Sequence, residues 1–113
     1  MAITNEKVSG HSFLEGLRGD SYFPEHLVDK GRAILRDLCE RIERDRPADL
    51  PALYALTEPA TERFNALNEE LWAAGSEIET VARDEIAVNF HFVATAYGFP
   101  QADMEDLVAA RDW

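Results

Sequence analysis

The feature that most constrains this chain is a run of apolar residues spaced by three and four. Leu27, Val28, Gly31, Ile34, Leu35, Leu38, Cys39 and Ile42 fall in one arc of roughly 140° when each residue advances about 100°. That period is helical, and an arc so wide needs a partner layer to cover it. The spacing predicts a helix from Pro24 to Asp45, with Pro24 suited to its first turn and Arg46-Pro47 at its end. Its outer face alternates in sign. Asp37–Arg41 and Glu40–Arg44 are i,i+4 pairs in the favourable order, acid first.

The rest of the chain repeats the pattern. Asp49 is a good N-cap for a short helix through Leu56, and Thr57-Glu58-Pro59 reads as a break, because proline inside a helix costs about 3 kcal/mol. A second long helix is expected from Glu58 to Ala74. Ala60, Phe64, Leu67 and Leu71 form its core stripe, and Glu58, Glu62, Asn65 and Glu69 its far side. Ser76-Glu77-Ile78-Glu79 has the form of a capping box for a third long helix running to Tyr97, with Gly98 beyond its end. Two stripes, one from Ile78 to Tyr97 and one of Val81, Val88 and Phe92, make this the expected central helix. Asp103 caps a last short helix from Met104 to Ala110. No segment alternates as a strand does. The expectation is therefore all-α: a small bundle of three long helices and one or two short ones. Residues 1–20 form an irregular arm, with one helical turn around Phe13 to Leu17, and residues 21–113 a single helical domain.

Several segments occur together in order: Ser21-Tyr22-Phe23-Pro24 before Leu27-Val28-Asp29-Lys30-Gly31, Ala60-Thr61-Glu62-Arg63-Phe64-Asn65, Ser76-Glu77-Ile78-Glu79-Thr80 with Ala82-Arg83-Asp84, Ala96-Tyr97-Gly98-Phe99, and Ala110-Arg111-Asp112-Trp113. The set resembles a family of short bacterial proteins known as domain of unknown function five-seven-one-three. The resemblance runs from about residue 8 to the end. It implies a bacterial source and one domain, and brings no activity, cofactor or catalytic residue.

Composition narrows the function classes. The 113 residues carry 22 acids and 11 Lys or Arg, a net charge of −11, with 46% hydrophobic residues. That is apolar enough to fold. It is too acidic for phosphate-driven nucleic-acid binding or polybasic attachment to lipid. One cysteine permits no disulfide framework, and the first ten residues have no apolar run behind a basic start. A cytoplasmic protein without a membrane span is expected, with Cys39 as a small core residue.

Catalytic patterns are missing. None of His11, His26 and His91 follows a glutamate by three residues, as a di-iron bundle requires, so neither metal nor cofactor is expected. Cys39 and His91 fall on different sides of their helices, which argues against a nucleophile and base. Glu85 lies at the edge of the apolar arc of the third long helix, where a half-buried carboxyl can act as an acid. Asn89 sits one turn on and His91 close by. These three form the alternative pocket of a small-molecule binder or enzyme.

The stronger signal is charge asymmetry. Residues 1–56 hold 10 acids and 8 bases, whereas residues 57–113 hold 12 acids and 3 bases. Glu58, Glu62, Glu69, Glu70, Glu77, Glu79, Asp84 and Glu85 face only Arg63 and Arg83 within 28 residues. Single-sign fields steer partners of opposite charge. The first expectation is a protein-binding module for a basic protein, using Glu58, Glu62, Glu69, Glu70 and Glu77 with Trp72 as an aromatic anchor. A homodimer through Val81, Val88 and Phe92 is the third. Tyr22, Phe23 and Trp113 are further aromatics that either anchor a partner or close an edge of the bundle.

Overall fold

The computed structural model describes residues 3–113. Its helices are α1 (Glu6–Ser9), α2 (Glu25–Asp45), α3 (Leu50–Ala73), α4 (Thr80–Ala96) and α5 (Met104–Leu107), with a 3-10 turn at Glu15–Leu17 between α1 and α2. No strand occurs among the described residues. The fold is all-α, with three long helices.

Helix α2 follows the sequence pattern residue for residue, since all eight members of its apolar arc are buried. It packs along α3, and a Cβ on Gly31 would stand 2.8 Å from Leu14 Cδ1 and 3.2 Å from Phe64. The glycine thus lets both the N-terminal segment and α3 approach α2. Helix α4 meets α1, the 3-10 turn, α2 and α5, and Phe90 sets its ring edge-on to Phe64 of α3 at 5.8 Å. A buried aromatic ring takes roughly 150–250 Å² out of water, which contributes several kcal/mol.

Three expectations are corrected. Pro59 does not break the chain: α3 runs unbroken from Leu50 to Ala73 with Pro59 inside it. Proline removes one hydrogen bond, to the carbonyl of Ala55, and both residues face solvent, which can take that carbonyl. Against this loss, Leu53, Thr57, Ala60, Thr61 and Phe64 make one uninterrupted buried face, which a break would split. The capping box does not form either. Helix α4 begins at Thr80, and the Ser76 hydroxyl is buried without a hydrogen-bond partner. Asn68 Oδ1 takes the Ile78 amide at 2.7 Å, so residues 76–79 stay outside the helix, with Glu79 extended. Finally, α5 stops at Leu107 instead of Ala110. Asp103 does cap it, accepting from the Glu105 and Asp106 amides.

The N-terminal segment contributes Val8, Phe13, Leu14 and Leu17 to the core. Residues 1 and 2 of the expected arm lie outside the described residues. The second stripe of α4 is only partly covered: Val81 and Val88 are exposed, while Phe92 lies under the His11 ring, stacked at 3.9 Å. Phe23 and Trp113 are buried, and Tyr22 and Trp72 are exposed.

Candidate functional site

The outer side of α3 gathers Glu58, Glu62 and Glu69 on one ridge. Steps of four and seven residues return to within about 40° of the same line at 100° per residue. All three are exposed and make no ion pair among the described residues. Arg63, the base nearest in sequence, points instead across to α2, where it shares Asp37 with Arg41 at 2.9 and 3.0 Å. Trp72, 54% exposed, continues the ridge, and its Nε1 donates to Glu77 Oε2 at 3.3 Å. Glu70 does not join them. One residue past Glu69 it is rotated about 100°, and it pairs with Lys30 of α2 at 2.6 Å.

The C-terminal tail borders this ridge. Asn65 Nδ2 donates to the Ala110 carbonyl at 2.9 Å, and the Asp112 amide donates back to Asn65 Oδ1 at 3.0 Å. The Thr61 hydroxyl lies between the carbonyls of Thr57 and Leu107. Arg111 pairs with Glu105 and covers the Trp113 ring.

The alternative pocket residues separate into a pair and an outlier. Asn89 is buried, and every polar atom of its side chain is engaged. Its Oδ1 accepts from the Leu14 amide at 3.3 Å and faces His11 Nε2 at 3.1 Å. Its Nδ2 donates to the Glu85 carbonyl at 2.7 Å and to Glu85 Oε2 at 3.3 Å. Glu85 in turn accepts the Gly16 amide at 3.0 Å. A Cβ on Gly16 would stand 2.8 Å from the Glu85 carboxylate, and Leu14 is held at φ 55, a left-handed conformation that leucine rarely adopts. The pair therefore fastens residues 11–17 onto α4. His91 lies two residues past Asn89, about 200° around the helix, and does not meet them.

A third polar cluster has no counterpart in the sequence expectations. Glu43, near the end of α2, accepts from the Thr4 amide at 2.9 Å, the Thr4 hydroxyl at 2.8 Å, the Asn5 amide at 3.1 Å and the Tyr97 phenol. Partial burial pushes its carboxyl up, but the Tyr97 phenol and the Thr4 and Asn5 donors together outweigh that and hold it at about 2. Burial raises the Tyr97 phenol, and the adjacent Glu43 carboxylate adds to the rise. Burial also pushes the Cys39 thiol up to about 12, against a lowering contact from Tyr97. A carboxyl ionised this firmly and a thiol protonated this firmly are neither an acid–base pair nor a nucleophile near neutral pH. Asn5 completes the fastening: its Oδ1 caps α1 and its Nδ2 donates to the Ala96 carbonyl at 2.8 Å. The legible signal was the i,i+4 spacing of Cys39 and Glu43 at the margin of the apolar arc.

Among the described residues no group of three His, Cys, Asp or Glu side chains could hold a metal ion. No described helix is long and apolar enough to cross a membrane. The model of a family of unknown function (DUF5713) matches residues 7–113. No curated protein and no solved structure matches the chain.

Proposed function

The chain belongs to the family of unknown function DUF5713, and we propose that it is a protein-binding module that engages a basic protein through the outer ridge of α3. The observation that carries this reading is the line of Glu58, Glu62 and Glu69, free of ion pairs among the described residues and ending in the exposed Trp72. Three carboxylates on one line repel one another, and a basic partner removes that repulsion while its approach is steered by the field. Trp72 supplies apolar area next to the charge, the combination enriched at binding hot spots. A partner whose own working surface is basic would be inhibited by being covered.

Capture of partners by the tagged protein tests this. Proteins held at about 0.1 M salt should be released at about 1 M, where the Debye length falls to about 3 Å. They should also be lost from a variant carrying Glu58→Gln, Glu62→Gln and Glu69→Gln. Retention unchanged under both conditions would contradict the proposal. Glu85 and Asn89 do not support a competing ligand pocket, because their hydrogen bonds go to the chain's own residues 11–17. Val81 and Val88 offer little area for a homodimer, and Asp84 and Glu85 lie between them in sequence.

A further inference from the structure

A groove of about 240 Å³ lies between the turn before α2 and the start of α4. Tyr22, Phe23, Thr80, Val81 and Ala82 wall it, and Asp20 and Glu79 complete it. Two of the molecule's exposed large apolar side chains, Tyr22 and Val81, meet here. The groove follows from local structure on both sides. Asp20 Oδ1 accepts the Tyr22 amide at 2.9 Å and the Asp20 carbonyl accepts the Phe23 amide at 3.0 Å. That turn sets the Tyr22 ring edge-on to Phe23 at 5.0 Å and leaves the rest of it in solvent. Opposite, Asn68 takes the Ile78 amide, residues 76–79 stay outside the helix, and Glu79 is extended. Glu77 and Glu79 therefore lie together instead of pointing apart around a helix.

The groove is too small for a drug-sized ligand, which fills about 300–1,000 Å³, and is of a size for one long side chain. Its apolar walls favour a stem of methylenes and its carboxylates a cation. Asp20, Glu77 and Glu79 make no ion pair among the described residues, and the neighbouring Glu77 carboxyl pushes the Glu79 carboxyl up from its ordinary value. Arginine fits both requirements better than lysine, because its planar guanidinium stacks on an aromatic ring and presents a fork of donors to carboxylates. We propose that this groove seats one arginine side chain of the basic partner protein, with the guanidinium on Tyr22 and between Asp20 and Glu79. The inference rests on the reading of the chain as a binder of a basic protein, and it names the side chain that is recognised.

The test is an amide-resolved NMR titration of the full chain at low salt, with N-acetyl-argininamide and N-acetyl-lysinamide as probes. The arginine probe should give saturable shifts at residues 20–23 and 79–82, with a Kd on the order of 1 mM, and the lysine probe clearly weaker ones. Tyr22→Ala and Glu79→Gln, both at exposed positions, should each abolish the saturable shifts while the rest of the amide spectrum stays that of the folded chain. The Glu58→Gln/Glu62→Gln/Glu69→Gln variant should keep them. Shifts that do not saturate, that are equal for the two probes, or that centre on residues 58–69 would overturn the groove. They would leave the ridge to be judged by its own salt-dependent capture.

Discussion

Glu43 and Glu62 are both glutamates on long helices, and their surroundings differ completely. Glu43 receives the Thr4 amide and hydroxyl, the Asn5 amide and the Tyr97 phenol. Glu62 is exposed and has no ion pair among the described residues. The same contrast separates the two polar regions of the molecule. Along α4 and the end of α2, Asn89, Glu85 and Glu43 meet donors from the first seventeen residues, and their polarity holds that segment in place. Along α3, Glu58, Glu62 and Glu69 meet none. Polar groups whose hydrogen bonds are filled by the chain itself contribute to stability. Those left unfilled on a surface raise its repulsion and are available to a partner.

The sharpest way to break this comparison is at Asn89. Asn89→Ala leaves the buried Leu14 amide without an acceptor and releases His11, so unfolding in denaturant should show a loss of about 3 kcal/mol. A loss under about 0.5 kcal/mol, the range of ordinary surface changes, would deny the segment its anchoring role. Glu43→Gln comes next, at about 1–2 kcal/mol, the order expected for hydrogen bonds to a charged acceptor. Its pH dependence follows from the depressed pKa. The folded carboxyl ionises at about 2 and the unfolded one near about 4.3. The wild-type contribution is thus complete above about 4.3 and disappears as pH falls from there towards 2. Acid melts should accordingly be shallower over that window in Glu43→Gln than in wild type. Gly16→Ala should lose about 1 kcal/mol, since the added methyl displaces the flexible Glu85 carboxylate from the Gly16 amide. Smallest is the ridge. Glu58→Gln/Glu62→Gln/Glu69→Gln should change stability by no more than about 0.5 kcal/mol, in the stabilising direction if repulsion dominates, as thermal melts would report.

What could be read from the sequence, and what could not, follows the range of the interactions involved. The buried arc of α2 is a local period and was legible to the residue. The ridge of Glu58, Glu62 and Glu69 is likewise arithmetic at 100° per residue. Glu70 falls off that line by the same arithmetic, and only its pairing with Lys30, 40 positions away, lies beyond a local reading. Pro59 misled because the local rule counts one lost hydrogen bond, whereas the packed face from Leu53 to Phe64 belongs to the whole bundle. The Ser76 box misleads for a related reason: Asn68, ten residues back, holds the Ile78 amide and keeps the segment out of the helix. Residues 3–17 show no period, since they are two short turns fixed by Glu43, Glu85, Asn89 and Ala96. Those contacts span 38 to 91 positions, and no pattern within a helical window reveals them. Asn89 stands out in the sequence as a polar residue at the edge of an apolar arc, and the structure buries it. What it meets there is the chain's own N-terminal segment.

The most direct measurement is the affinity of a captured basic partner for three proteins: wild type, the triple ridge variant and Glu43→Gln. The account predicts that the ridge variant binds at least about tenfold more weakly, a change of about 1.4 kcal/mol, with its melting temperature unchanged. Glu43→Gln should melt lower yet bind as wild type wherever it is folded. A ridge variant that binds as tightly as wild type would contradict the assignment of α3 as the working surface.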